Sequence, residues 1–331
     1  MARLAGTWAR TWHRLVRAAA VDRSDRPLLS ADELAALVRL AEERAPEARA
    51  GALAGGERPT HWHGQGLDFQ ELRRYEQGDD VRAIDWRTTA RTGTAHVRVY
   101  RQERRRSLYL IVDLGASMRF GTRVRLKAAQ AARLAVLLAL QCTREGGAVG
   151  AAILGEKVRL WPVRTGRRHA LALAELLAAP CPPLPITHGA ADFDYLLAAL
   201  GRQLPAGAEL VLLSDFRWLG ERDARALHRF AAGGRRVRAV RITDAVEHRL
   251  PAVGRAPFCA LSSDVPVWLD TTQAPVRAAF EAQAQAADAA CARRLAAAGA
   301  AYLSVTADLA AEALLPRLAE SGAPRRYGSA G

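Results

Sequence analysis

From residue 107 onward, short apolar runs alternate with longer stretches whose apolar positions recur every three to four residues. The runs at 107–113, 148–154, 157–163, 208–214, 236–242 and 300–305 have the length and composition of strands. Helical spacing fills 122–144, 167–179, 192–203, 221–232, 274–298 and 308–320. Strands alternating with helices of this length build βαβ units, which require a mostly parallel sheet covered on both faces. The runs 148–154 and 157–163 are joined only by Gly155 and Glu156. That predicts an antiparallel hairpin at one edge. The pattern therefore predicts an α/β domain over 107–322: a doubly wound, mostly parallel six-stranded sheet.

The pattern before residue 107 is weaker. Residues 1–59 read as an N-terminal helical segment and linker. Its second helix opens at Ser30, with Glu33 three positions on completing a capping box, and the linker GALAGGERPT follows. Residues 60–106 read as polar and irregular until TAHVRVYRQE, which alternates like a half-buried strand. Residues 323–331 have the composition of a flexible tail.

Composition narrows the function classes. Of 331 residues, half are hydrophobic and a quarter charged, which is a globular balance. A net charge of +14 raises nucleic-acid binding as the alternative function. Lysine, however, occurs only at Lys127 and Lys157 among 48 basic residues, and alanine is abundant. Codon bias produces such an Arg/Ala excess, and no aromatics interleave with the arginines to stack bases, so nucleic acid is not favoured. Cys142, Cys181, Cys259 and Cys291 have no metal-ligand spacing. No run reaches the roughly 18–20 apolar residues of a membrane span. The N-terminus lacks the pattern of a signal peptide. Trp8, Trp12 and Leu15 give it an amphipathic face. A packed helix is favoured there over membrane contact, and a cytoplasmic location is expected.

Chemistry concentrates after two strands. LYLIVDLGASM ends in Asp113, Gly115 and Ser117, and ELVLLSD ends in Asp215. In a parallel sheet both ends face one crevice, where ligands bind. Oxygen ligands spaced by two residues suit a hard cation such as Mg2+. Thr187 offers a third loop. Against a full site, Gly115 has no side-chain oxygen. His61 and His63, with Asp68 nearby, lack an obvious third ligand. No P-loop, G-x-S-x-G or H-E-x-x-H pattern occurs, so the expected protein is not an enzyme.

DLGASM together with LLSDF resembles a degenerate metal-ion-dependent adhesion site of a von Willebrand factor A-type domain. That site reads D-x-S-x-S, then a distant Thr, then Asp. Asp113, Ser117 and Asp215 match it, Gly115 departs, and either Thr187 or Ala191 falls at the threonine. The segment from Gly64 to Trp86 resembles a second, longer signature, G-x-G-x-x-F-x-x-x-R-x-Y-x-x-G-D-D-x-R-x-I-D-W. It belongs to the bacterial family called domain of unknown function fifty-eight. Gly64, Gly66, Phe69, Arg73, Tyr75, Gly78, Asp79, Asp80, Arg82, Ile84, Asp85 and Trp86 all fall on it, and Ala90, Arg91 and Gly93 continue it. The resemblance implies a von Willebrand A-like module working with MoxR-type AAA+ ATPases, or their client proteins, in maturation or assembly. Many members carry N-terminal membrane spans, and the lack of one here implies a cytoplasmic version. If Mg2+ is held, the resemblance assigns it to Asp113, Ser117 and Asp215, with Thr187 as the further candidate.

The alternating Arg73, Asp79, Asp80, Arg82, Asp85 and Arg91 admit two roles. One is a salt-bridged clasp that anchors the segment 60–106 on the main domain, with Trp86 as its packed anchor. The other is a polar docking surface for the partner ATPase.

Overall fold

A computed structural model describes residues 27–43, 67–76, 79, 81–102, 106–155, 157–180, 193–258, 266–314 and 316. The chain divides into two compact units, Met1–Ala45 with Arg106–Gly331, and Pro46–Arg105. Helix α1 (Ala31–Glu43) belongs to the larger unit. The smaller holds β1 (Leu67–Arg74), α2 (Trp86–Thr92) and β2 (His96–Gln102).

In the smaller unit β1 and β2 form an antiparallel ribbon, from Leu67 opposite Gln102 to Arg74 opposite His96. This stretch had been expected to be irregular as far as residue 94. The register shifts between Phe69 and Glu71, and such a bulge moves the apolar positions from 67 and 69 to 72, breaking the alternation that marks a strand. Asp85 caps α2, its carboxylate accepting from the Thr88 amide at 3.0 Å. Gly93 ends the helix at φ +72°, its N–H donating to the Thr89 carbonyl.

The larger unit continues with β3 (Ser107–Asp113), α3 (Lys127–Arg144), β4 (Ala148–Leu154), β5 (Arg159–Thr165) and α4 (Arg167–Ala178). Next come α5 (Phe193–Gln203), β6 (Glu209–Ser214), α6 (Glu221–Ala232), β7 (Arg236–Thr243) and the single turn α7 (Ala245–His248). A small antiparallel hairpin, β8 (Arg255–Phe258) with β9 (Val267–Asp270), precedes α8 (Ala274–Ala297) and β10 (Ala300–Thr306). That hairpin was not foreseen, because its strands are four residues long and one carries Pro257.

The main sheet runs β10-β7-β6-β3-β4-β5, parallel except for β5 at the edge. All six predicted strands form it. The β4–β5 connection is longer than the two residues expected, since β5 begins at Arg159.

Side chains sort by period two onto the two faces. Leu108, Leu110 and Val112 join one core, shared with α3, α4 and α1. Tyr109 and Ile111 join the other, shared with α5, α6 and the end of α8. Helix α3 lies between the sheet and the pair α1 and α4, so 16 of its 18 residues are buried. It starts at Lys127 rather than near residue 122. The Asp244 carboxylate accepts from both the amide and the hydroxyl of Thr122, holding 121–126 as a loop. No described helix is long and apolar enough to cross a membrane.

Candidate functional site

The strand order reverses between β3 and β6, the first strand leaving the sheet in one direction and the later ones in the other. Crevices at such a switch point, beyond the carboxyl ends of the strands, are where open α/β sheets take ligands. Val112 pairs in register with Leu213. Asp113 therefore ends β3 beside Ser214, and Asp215 lies one step beyond.

Asp113 is buried and fully engaged. Its Oδ1 accepts from the Gly115 amide at 2.8 Å. Its Oδ2 accepts from Ser214 Oγ at 2.6 Å and from Trp218 Nε1 at 3.0 Å. Burial pushes its carboxyl above the usual carboxylate range, and the charge of Asp215 adds to this; the three donors oppose it. Phe216 turns the chain at φ 56°. The amides of Phe216 and Arg217 then donate back to Ser214 Oγ at 2.9 Å and Asp215 Oδ1 at 3.2 Å. A bulky residue in the left-handed region costs about 1–3 kcal/mol, and such strain gathers at functional turns.

Ser117 Oγ donates to Asp215 Oδ1 at 3.2 Å. The two matched positions of the adhesion-site pattern are thus brought together. The other oxygen, Asp215 Oδ2, accepts from Lys127 Nζ at 2.8 Å, and Glu247 Oε1 accepts from the same ammonium at 2.7 Å. Lys127 is 0 % exposed. Arg217 closes the cluster from outside, with Nη2 2.9 Å from Glu247 and Nε 3.6 Å from Asp215. Glu247 is positioned by a capping box with Asp244, whose amide donates to Glu247 Oε2 at 2.9 Å.

Lys127, Glu247, Arg217, Asp244, Ser214 and Trp218 were missed from sequence. For Lys127 a signal existed: it is one of two lysines among 48 basic residues. Ser214, Arg217 and Trp218 are chain neighbours of Asp215 that carry no motif, while Asp244 and Glu247 are brought in from α7 and its cap by tertiary packing.

The described residues do not fit a bound Mg2+. Gly115 contributes no oxygen, and a Cβ there would stand 3.0 Å from Asp113 Oδ1. Both Asp215 oxygens already accept from protein donors, one of them a cation. Among the described residues no three His, Cys, Asp or Glu side chains converge as a ligand group. The expected fourth ligand, Thr187, lies outside the described residues, as do His61 and His63.

The predicted motif residues fall in the smaller unit. Arg73 pairs with Asp79 at 2.7 Å and Glu76 at 3.3 Å, while Asp79 Oδ2 accepts from the Glu76 amide at 2.9 Å. The Tyr75 amide donates to the Ala95 carbonyl, and that of Asp85 to the His96 carbonyl. Trp86 is not the packed anchor expected. As the first residue of α2 it is 66 % exposed, whereas Val97, bridged to Ile84, is buried. Arg82 and Arg91 are exposed, and Gly78 and Asp80 lie outside the described residues.

A doubly wound sheet with a carboxylate at the end of each strand of its switch point is consistent with the von Willebrand A-like α/β module that the sequence resembles. The chain belongs to the family described as Protein of unknown function DUF58, which matches residues 71–290. It is 33 % identical over 197 residues to Uncharacterized protein Rv1480 of Mycobacterium tuberculosis, covering 58 % of this chain and 59 % of that one. Uncharacterized protein YeaD of Bacillus subtilis is 26 % identical over 188 residues, or 56 % of this chain and 42 % of that protein. The chain thus spans about three-fifths or less of these relatives' length. Among solved structures, an aerotolerance-related membrane protein from Bacteroides fragilis aligns with TM-score 0.43 and 14 % identity, over 65 % of this chain and 98 % of that one. The conserved hypothetical protein BatB from Bacteroides thetaiotaomicron aligns with TM-score 0.40 and 13 % identity over the same shares.

Proposed function

We propose that this chain is a non-catalytic, cytoplasmic protein-interaction module. It works with a MoxR-type AAA+ ATPase in protein maturation or complex assembly, and docks on the ATPase or its client through the loops after β3 and β6. The partner class rests on the family resemblance carried by the segment from Gly64 to Trp86. The observation that supports a docking role over an enzymatic one is the internal closure of the switch-point cluster. Ser117 donates to Asp215, and Asp215 is held by Lys127, so the hydroxyl's partner is an ion-paired carboxylate and not the oriented base that an activated nucleophile requires. What the loops offer outward is a half-exposed guanidinium, Arg217, and the exposed apolar side chains Phe120 and Val124.

The test is affinity capture of the tagged chain from nuclease-treated lysate of its own organism at near-physiological salt, read by mass spectrometry. Recovery of an AAA+ ATPase that is reduced by Arg217→Ala supports the reading. Recovery of no ATPase, with nucleic acid bound in an untreated control, moves the assignment to the basic surface.

A further inference from the structure

We propose that Lys127 is the resident cation of the switch-point site, a covalently tethered ammonium on the carboxylate that would otherwise anchor a divalent ion. The site is therefore built to work without metal. This inference does not depend on the identity of the docking partner.

Three independent observations carry it. The first is geometric. Lys127 Nζ lies within 2.8 Å of Asp215 and 2.7 Å of Glu247, is sealed from solvent, and has the Phe120 ring 5.9 Å away. Mg2+ requires near-octahedral oxygen coordination at about 2.0–2.1 Å. To take Asp215 Oδ2 it would have to displace the ammonium from that oxygen, leaving Glu247 to hold the buried charge alone.

The second is the choice of residue. Arginine supplies 46 of the 48 basic side chains, yet a lysine stands here. A guanidinium is a broad planar fork, whereas an ammonium is a compact point charge. The compact ammonium stands between the two carboxylates, 2.8 Å from Asp215 and 2.7 Å from Glu247.

The third is position. Lys127 is the first residue of α3, where the helix dipole disfavours positive charge. Helix formation gives no reason for a lysine there, and the two carboxylates do. The departure at Gly115 removes an oxygen from the side of the site where a metal would need one.

The consequence for recognition concerns the outer cation. A partner carboxylate cannot complete a metal coordination sphere, and it cannot reach the sealed Lys127. The accessible positive group is Arg217, 53 % exposed and held in place by Glu247 and Asp215. Docking of an acidic side chain at this rim is metal-independent.

The experiment uses the full chain and Mn2+ as the probe. Wild-type protein is titrated into Mn2+ while the six-line spectrum of the free ion is followed by electron paramagnetic resonance. In parallel, melting is compared in Mg2+ and in EDTA. The expected result is an undiminished free-ion signal and coincident melting curves. A saturable loss of signal that Asp215→Asn abolishes would overturn the proposal. A loss that persists in Asp215→Asn places the ion elsewhere and leaves the assignment of Lys127 supported. Lys127→Met should melt lower than wild type in either condition, and adding Asp215→Asn should recover part of the loss. A Lys127→Met protein as stable as wild type would also overturn the proposal. Should that variant fail to fold, the wild-type titration still decides.

Discussion

Replacing Lys127 by methionine isolates the charge from the packing, because the two side chains are similar in length and the site stays filled. The change leaves Asp215 and Glu247 facing each other across a buried space with the half-exposed Arg217 as their remaining cation. Removing one partner of a buried ion pair costs about 3–5 kcal/mol, since the survivor is left uncompensated. Arg217 already touches Glu247, which places the expectation toward the lower end, about 3 kcal/mol. At about 2–4 °C per kcal/mol for a unit of 150–250 residues, melting should fall by about 6–12 °C. Urea unfolding of the wild type, Lys127→Met, Asp215→Asn and the double variant forms a double-mutant cycle. A coupling of at least about 1.5 kcal/mol is expected, within the range for residues in direct contact. A loss below about 1 kcal/mol, or strict additivity of the two changes, would refute the reasoning. The pair would then be an incidental contact and the site open to another cation.

Four further outcomes follow from the geometry. Burial works to raise the Glu209 carboxyl, but the Arg238 and Arg106 guanidiniums outweigh it and hold it below its ordinary range. Its stabilisation is therefore present above that range and is lost as pH falls through the lowered value. Glu209→Gln should cost about 3–5 kcal/mol at neutral pH and flatten that acid limb in urea titrations. Asp113 has the opposite sign. Between the ordinary carboxylate range and its raised value the folded state keeps a proton that the unfolded chain has lost, so stability falls as pH rises there. The stability of wild type relative to Asp113→Asn should shrink across the same window. At Gly121 a Cβ would lie 2.2 Å from the Arg125 carbonyl oxygen. Gly121→Ala should therefore displace the loop before α3 and lower melting by several degrees. Burial pushes the Cys142 thiol up to about 11, so peptide mapping should find it unalkylated in native protein and modified after denaturation.

The sheet was legible because its central strands β3, β4 and β6 are apolar on both faces and its helices long, leaving little for tertiary context to decide. Runs such as LYLIVD and ELVLLS read as strands at a glance. The smaller unit was less legible: one bulge put Leu72 out of phase with Leu67 and Phe69, and the strand vanished into an irregular stretch. At the site, sequence found Asp113, Ser117 and Asp215 because they follow strands at fixed offsets. It could not find Glu247, which reaches the cluster from a single helical turn 32 residues after Asp215 in the chain. It passed over Lys127 because a basic residue inside a predicted helix, 122–144, carries no motif. In an arginine-rich chain that lysine is an anomaly, but only the structure joins it to Asp215 and Glu247.

Strand β6 shows why the kind of cation matters. It carries a buried carboxylate at its first residue, Glu209, and another just past its last, Asp215. Glu209 is held by Arg106, whose Nη2 lies at 2.8 Å, and by Arg238 and Arg236. Guanidinium forks there tie β3, β6 and β7 together at the end of the sheet away from the crevice. At the crevice end the same demand for a counter-charge is met by one ammonium, which occupies little volume. The Asp113, Asp215 and Phe216 turns can then pack closely around it. The arginine at that end, Arg217, is displaced to the rim, where its guanidinium is within reach of another molecule. The interior charge balance and the outward-facing charge are thus assigned to different residues. Arg217 can therefore be changed to alter docking while the buried Lys127–Asp215 pair keeps the crevice intact. An Arg217→Ala protein that melts within about 2 °C of wild type, yet loses its captured partner, is the outcome this division requires. If melting collapses with Arg217→Ala, the rim and the interior form a single unit and the division is wrong.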